Sequence, residues 1–521
     1  MQFGKFRKMH KAKILVVVAT SLSTSAFAAP EFTRLPAPPH QYVGGWEHYV
    51  GGGLAAFDCN DDALPELYAA GGEAPAALLL NTTAQMGDTP SFSDNTPESL
   101  ALTGVTGAYP IDIDSDGHID LAILRVGENR FLRGLGDCAF TPFTSLDYIP
   151  DTAWTTAFSA TWEGTNALPT MAFGNYVDRD DPEGPFGTCD ENTLLRPKDG
   201  TYSTPTQLAP GFCALSILFS DWSRSGQADL RVSNDRHYYV KGGSEQMWKM
   251  ASEPRLYTQA DGWKDYMIWG MGIASRDLTG DGYSEVYLTS MGDQKLQSPT
   301  GDGTPNFIDY TYERGTTAHR PFTGEDGRPS TGWHVAFGDI ENNGRDDIFI
   351  AKGNVERMAG AAMEDPNNLL IQDENGNFSE QGDVAGIASL VRSRGAALVD
   401  FNGDGLLDLA VNNRKADIEL YQNTSTNTGN WVSLKIQQAG VNRDAIGAFV
   451  EVKTDASVQT REITIGGGHA GGELGPLHFG LGMAEAATVR VIWPDHTTSE
   501  WYDFTPNQPF VFQRDEGLKP L

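Results

Sequence analysis

Asp112-Ile113-Asp114-Ser115-Asp116-Gly117-His118-Ile119-Asp120 is the stretch from which the fold can be read. Oxygen-bearing side chains stand at alternate positions around a Gly that permits a sharp turn, the arrangement a hard Ca²⁺ ion requires. Five further runs keep or nearly keep the spacing D-x-[D/N/S/T/E]-x-[D/N/S]-G-x-x-[D/E], and they start at Asp58, Asp221, Asp277, Asp339 and Asp400. The intervals between starts are 54, 109, 56, 62 and 61 residues, and 109 is close to twice the others. One unit has therefore lost its run. Its remnant is expected around Phe173–Asp178, where a strand-like entry leads into Asp180-Asp181-Pro182 without ligand spacing. The count is seven units.

Each unit repeats one local grammar. A small-residue strand enters the first Asp, as in Gly395-Ala396-Ala397-Leu398-Val399, and a second leaves it, as in Leu407-Asp408-Leu409-Ala410-Val411. The exits (LYA, LAI, LRV, VYL, IFI, LAV) are suited to buried strands. A further strand such as Asn368–Gln372 precedes a glycine hairpin at Glu374-Asn375-Gly376-Asn377. About 55 to 60 residues hold four strands, one blade of a β-propeller. The fold class expected is therefore all-β: a seven-bladed β-propeller followed by a small C-terminal β domain. Parallel β-helices also carry Asp/Gly repeats, at a much shorter period. Closure is expected to use the N-terminal segment Trp46–Leu54, because a propeller seals by pairing its two ends.

Residues Lys5, Arg7, Lys8, Lys11 and Lys13 precede an apolar run, Ile14–Ala19, and a small-residue end at Ala26-Phe27-Ala28. This reads as a signal peptide over 1–28, with the propeller over 29–427 and the β domain over 428–521. Without the peptide the chain carries 38 − 5 = 33 Lys+Arg against 69 Asp+Glu, a formal charge of 33 − 69 = −36. That field disfavours nucleic acid and anionic membranes and favours cations. No later segment is long and apolar enough to span a bilayer, so no membrane insertion is expected after cleavage. The four cysteines of an exported chain are expected as two disulfides. Three pairings exist, and Cys189–Cys213 with Cys59–Cys138 is the favoured one.

The loop spacing resembles the FG-GAP/VCBS repeats of integrin-type propellers. Trp269-Gly270-Met271-Gly272-Ile273-Ala274 and Arg394-Gly395-Ala396 resemble blades of secreted cartilage-acidic-protein-like proteins. The tail is similar to the ASPIC/UnbV domain over its whole length. It carries Asn430-Trp431-Val432-Ser433-Leu434, Asn442-Arg443-Asp444-Ala445-Ile446-Gly447-Ala448, Leu477-His478-Phe479-Gly480-Leu481-Gly482 and Val491-Ile492-Trp493-Pro494 in that order. Animal members carry an EGF-like module after this domain, and functions resting on it are not expected to transfer.

Several structural Ca²⁺ ions are the expected cofactors. Their expected ligands are Asp112, Asp114, Asp116 and Asp120 with the His118 carbonyl; Asp400, Asn402, Asp404 and Asp408; Asp277, Thr279, Asp281 and Glu285; Asp339, Glu341, Asn343 and Asp347. Asp58, Asn60, Asp62 and Glu66 form a fifth set in which Ala63 replaces the Gly and Cys59 lies inside the loop. Asp221, Ser223, Ser225 and Asp229 offer two carboxylates and read as an ion-free turn. Catalytic motifs are thin: there is no H-E-x-x-H, G-x-S-x-G or P-loop. Gly466-Gly467-Gly468-His469-Ala470-Gly471 matches G-x-G-x-x-G without a βαβ setting and reads as a glycine turn inside the C-terminal domain. His478 and Trp493-Pro494 are expected to pack in that domain's own core. Trp263, Tyr266, Trp269 and His237-Tyr238-Tyr239 could line a groove, with core packing the plainer reading.

The function expected is Ca²⁺-stabilised extracellular binding or adhesion to a protein or glycan. The competing class is a propeller enzyme, a carbohydrate-active lyase or hydrolase or a quinone-dependent dehydrogenase, working at the central channel. Two observations separate them: His, Arg, Tyr and carboxylates gathered at a channel mouth favour chemistry, and a plugged channel favours binding.

Overall fold

A computed structural model describes residues 1, 29–181, 187–235, 242–324 and 326–521. The expected signal peptide lies outside the described residues, as do His237, Tyr238 and Tyr239. The described chain is β-structure joined by turns, with a few short 3₁₀ segments.

Seven antiparallel sheets come from the first 430 residues or so, and each is a meander that starts at an inner strand. The inner strands are Leu54–Phe57, Val105–Ile111, Thr155–Thr161, Ala214–Ser220, Gly270–Arg276, Gly332–Gly338 and Arg392–Val399. They contact one another in chain order, and the seventh also contacts the first. Six of the seven share a register shift near their start, as between Val105 and Gly107 or Gly270 and Ile273. A bulge there bends the strand and increases its local twist.

The outermost strand of the seventh sheet comes from the other end of the chain. Phe32–Leu35 pairs antiparallel with Leu420–Asn423, and Phe32 is buried with Ile340, Phe349, Leu409 and Tyr421. Trp46–Leu54 does not do this job. Trp46–His48 is a 3₁₀ turn, and Leu54 begins the first inner strand. The strand FTRL fits a sheet edge because it is short and buries one apolar residue, Phe32, while Thr33 and Arg34 lie exposed.

The third sheet, Thr155–Leu208, is the unit that lacks an Asp run. Its first connection spans Trp162–Pro169, so the remnant is there and not at Phe173–Asp178, which forms the end of the second strand and the start of the connection beyond it. In each of the other six sheets the first Asp directly follows the inner strand, and the ninth-position acid opens the second strand. In the third sheet Trp162 and Thr170 hold those two places. The loop kept its length and lost the acids at its first and ninth positions.

Two disulfides staple neighbouring sheets in the favoured pairing. Cys59–Cys138 joins the Asp58 loop to the outer turn of the second sheet, and Cys189–Cys213 joins the third sheet to the fourth inner strand.

After Asn430 the chain forms two further four-stranded sheets. One orders Leu477–Gly482, Asn430–Gln437, Gln508–Gln513 and Gly517–Pro520, and the other Val458–Glu462, Phe449–Lys453, Ala487–Ile492 and Tyr502–Phe504. Val432, Phe479, Val450, Val491, Trp493 and Phe512 fill the space between them, and this core runs on into Tyr109, Phe158 and Phe173 of the second and third sheets. The two parts therefore share one apolar core. No helix among the described residues is long and apolar enough to cross a membrane.

Candidate metal centres and the occupied axis

The six Asp loops share one hydrogen-bond scheme. The first Asp accepts the backbone N–H five residues on: Ala63 to Asp58, Gly117 to Asp112, Gly226 to Asp221, Gly282 to Asp277, Gly344 to Asp339 and Gly405 to Asp400, at 2.6–2.9 Å. That sixth position is left-handed throughout, with φ between 66° and 94°. Glycine suits it, and Ala63 takes it at a steric cost.

The ninth-position acid does different work. Asp120 accepts from Ile113 N and Gly134 N, Asp347 from Ile340 N and Gln372 N, and Asp408 from Phe401 N and Asn423 N. Each thus ties its loop to the third strand of its sheet, and all three are fully buried. Glu66 and Glu285 accept from Cys59 N and Leu278 N in the same way. These residues hold the fold whatever else they bind.

Burial, with neighbouring carboxylates adding to it, pushes Asp112 up to about 7, Asp120 and Glu66 up to about 8, Asp339 and Glu285 up to about 7, and Asp400 up to about 6. Asp347 and Asp408 are also raised, for the same reason. A cation among them would remove that penalty.

The sets differ in how closely the remaining ligands gather. In the Asp112 loop carboxylate oxygens of Asp112, Asp114 and Asp116 lie within 4.8 Å of one another. Asp114 Oδ1 is buried without a hydrogen-bond partner, and Arg133 reaches Asp114 and Asp116 at 2.8 Å each. His118 donates its N–H to Asp116. Elsewhere the third and fifth positions pair with each other: Asn60 with Asp62, Asn343 with Glu341 and Asn402 with Asp404, at 2.7–3.0 Å. Thr279 and Asp281 lie exposed. Cys59, Glu66 and Cys138 also converge, but both sulfurs are committed to the disulfide.

The C-terminal domain lies over this loop face. His478 does not serve its own domain's core: its Nε2 is 2.6 Å from Asn342 Oδ1 in the Asp339 loop, and its ring stacks on Trp431. Trp431 in turn lies flat against Gly405 of the Asp400 loop. Asn442 N donates to Ser115 Oγ in the Asp112 loop, and Asp221 N donates to Glu462. Of the aromatic set, Trp263 is core, packed edge-on to Tyr266 and Phe307.

The glycine run is not a turn inside the C-terminal domain. It belongs to a loop, Ile463–Leu474, that touches all seven inner strands. Glu473-Leu474 pairs parallel with Ala56-Phe57. Ala108, Ala160, Leu218 and Ile273 form β-bridges to Gly471, Ile465, Gly466 and Gly468. His469 N donates to His334 Nδ1 on the sixth strand, and Leu398 N on the seventh donates to Glu473 Oε1.

His469 sits at the far end of this loop. Gly51 N donates to its Nε2, and its Nδ1 faces Met271 O at 3.1 Å; burial pushes His469 down to about 3 and His334 to about 4. Beside it, Arg394 donates to the carbonyls of Tyr49, Ser393, Asn354 and Val355 and lies 4.0 Å over the Trp333 ring. Arg414 donates to Glu356, His48 O and Gly44 O. Both guanidinium groups are fully buried.

The arrangement defines an all-β protein of repeated four-stranded sheets whose C-terminal β domain sends one loop onto all seven inner strands. Residues 438–519 match the family described as ASPIC and UnbV. The chain is similar to cartilage acidic protein 1 of Mus musculus, 27% identical over 237 residues, 43% of this chain and 34% of that protein. It is similar to the Homo sapiens protein of the same name at 32% over 108 residues, 20% of this chain and 16% of that one. The matches thus span about a third or less of these relatives. A Bacillus licheniformis rhamnogalacturonan lyase aligns over 77% of this chain and 76% of its own at 10% identity, with a TM-score of 0.35. That likeness is too distant to bear on activity.

Proposed function

We propose that the seven sheets form a closed seven-bladed β-propeller of FG-GAP/VCBS type, held by Ca²⁺ in its Asp loops. In this reading the protein is exported and acts as an extracellular binding or adhesion module for a protein or glycan. The observation that carries the reading is the loop Ile463–Leu474. Twelve residues reach seven inner strands only from the axis those strands surround. The loop therefore fills the place where a propeller enzyme would hold its substrate.

The His and Arg side chains at the loop's tip are buried and bonded to protein partners, which argues against their use in chemistry. Partner contact is left to the face around Trp46, opposite the C-terminal domain, and to the rim. Two disulfides and the similarity to cartilage acidic protein 1 support export. Support for Ca²⁺ comes from the shared turn at each first Asp and from buried carboxylates that burial disfavours in charged form.

Extracellular-type sites bind Ca²⁺ at about 10⁻⁴ to 10⁻³ M, and a tenfold excess over Kd adds roughly 1.4 kcal/mol per site. The loops at Asp58, Asp112, Asp277, Asp339 and Asp400 each keep three or more acids, so filling all of them adds on the order of 7 kcal/mol. The test is a thermal melt with Ca²⁺ and with EGTA, beside metal analysis of the dialysed protein. Ca²⁺ is expected to raise the midpoint markedly. A chelator-insensitive melt with no bound metal sinks the calcium part of the proposal.

A further inference from the structure

We infer that the Asp loops and the C-terminal domain form a cation-controlled latch: filling the loops holds the domain on the loop face and thereby keeps its central loop seated in the axis. This rests on the calcium reading above and extends it from static stiffening to control of the axis.

The argument begins with the fourth position of each loop. Asp61, Ser115, Arg224, Gly280, Asn342 and Gly403 all have positive φ, between 56° and 74°. Four of these six are not glycine, so the conformation costs energy at each and must be held by its surroundings. The alternation that turns the first, third and fifth side chains toward one centre turns the fourth away from it. In four loops the fourth residue faces the C-terminal domain. Ser115 Oγ accepts from Asn442 N, and the Arg224 guanidinium lies 3.7 Å over the Phe449 ring. Asn342 bonds His478 through its side chain and Gly482 N through its carbonyl. A Cβ at Gly280 would stand 3.2 Å from Val458 O.

In the Asp112 and Asp339 loops one strained residue thus joins the ligand side to the docked domain, Gly280 brings the Asp277 loop against it, and the ion-free Asp221 loop docks through Arg224 alone. Without a cation the crowded carboxylates repel one another, the loop relaxes, and the fourth residue leaves its partner. The domain's hold on the axis is correspondingly local. Gly467 N donates to Ile217 O and Gly468 N to Ile273 O, and both depend on the domain staying in place. By linkage the coupling is reciprocal, so weakening the docking must weaken cation binding by the same factor.

The test is hydrogen exchange of the full chain in Ca²⁺ and in EGTA, with metal content measured on the same samples. Chelation is expected to speed exchange at Gly467 and Gly468 by about tenfold or more, while the rim hairpin Asn192–Leu208, in the one sheet without an Asp run, keeps its protection. In the reciprocal arm, Trp431→Ala and His478→Ala are expected to weaken Ca²⁺ binding several-fold by titration calorimetry. Bound Ca²⁺ with an axial loop indifferent to chelation overturns the latch and leaves the calcium reading standing. No bound metal removes both. Equal loss of protection in the axial loop and the rim hairpin also overturns the latch, because nothing local has then been released.

Discussion

Substitution of Gly107 by Ala examines the proposed filling of the axis most directly. A Cβ at Gly107 would lie 1.6 Å from the Ala470 carbonyl oxygen, and one at Gly53 would lie 1.8 Å from the same atom. A real contact needs more than 3 Å, so the strand or the axial loop must move by well over an ångström. The strand is held by its pairing with Ile123 and Leu124 of the next strand. The loop is held only by its own bonds, so it is what gives way. Leaving takes with it Ala108 N to Ala470 O, Gly467 N to Ile217 O and Gly468 N to Ile273 O. At a net ~1 kcal/mol each, and more where a buried N–H is left unpaired, Gly107→Ala costs about 3–6 kcal/mol. Gly53→Ala, striking the same oxygen, should cost a similar amount. Gly360→Ala is the control: nothing lies within 4 Å of its Cβ, and the change should be neutral or stabilising by up to ~1 kcal/mol. Urea unfolding of the three variants measures the differences, and hydrogen exchange over Ile463–Leu474 locates them. If Gly107→Ala is no less stable than Gly360→Ala, the loop does not fill the axis.

Three further outcomes are expected. Phe32→Ala should cost about 3–5 kcal/mol in urea unfolding, because Phe32 is buried in the seventh sheet, whereas the exposed neighbour Thr33→Ala should cost under ~0.5 kcal/mol; equal effects would refute closure by this strand. Burial pushes Glu473 from 4.5 up to about 7, so the native state holds its proton more tightly than the unfolded chain; the stability this contributes is full below about pH 4.5 and is lost as pH rises through about 7, on the order of 3 kcal/mol in all. Glu473→Gln should therefore match the parent near pH 5 and exceed it at pH 8, and an unchanged pH slope in the variant would refute that burial. Lys352 and Asp365 form a fully buried pair at 2.9 Å, and Asp365 also accepts from Ser330 Oγ and Thr331 N, so Lys352→Met alone should cost about 3–5 kcal/mol, while Lys352→Met with Asp365→Asn, which removes the charge and keeps an acceptor, should recover part of the loss in a double-mutant comparison.

How much of the fold is legible in the sequence depends on where its acids stand. Spacing between first Asp residues measures the repeat because the ninth-position acid opens the second strand of its sheet, so the motif and the strand order are one feature. The same reliance on acids misplaces the silent unit. Trp162 and Thr170 keep the eight-residue offset of Asp112 and Asp120, but with neither acid present only the offset could reveal them. The closing strand escapes notice for another reason. Phe32–Leu35 has one buried residue and little pattern, whereas Trp46–Leu54 is rich in the aromatic and glycine residues that draw attention.

The axial loop is hidden because its specification is divided between two distant stretches. Gly466–Gly471 taken alone reads as a turn, since glycines without a neighbouring strand–helix pattern say only that the backbone is free to bend. The information about where it bends lies in the inner strands, at Gly107 and Gly272, and at Gly53 just before the first of them, where any side chain would collide with the loop or its neighbours. Small residues leading into the first Asp look like a property of the repeat. They are better understood as the space one repeat array leaves for a single loop, which is why they cluster in inner strands and why no one sheet could show their purpose. The same division explains His478. Its position in the C-terminal motif suggests that domain's core, and only the Asp339 loop supplies the partner, Asn342, that its ring nitrogen requires. A motif read within one domain assigns its polar residues inward by default. Where the domain is a cover for another, those residues belong to the seam.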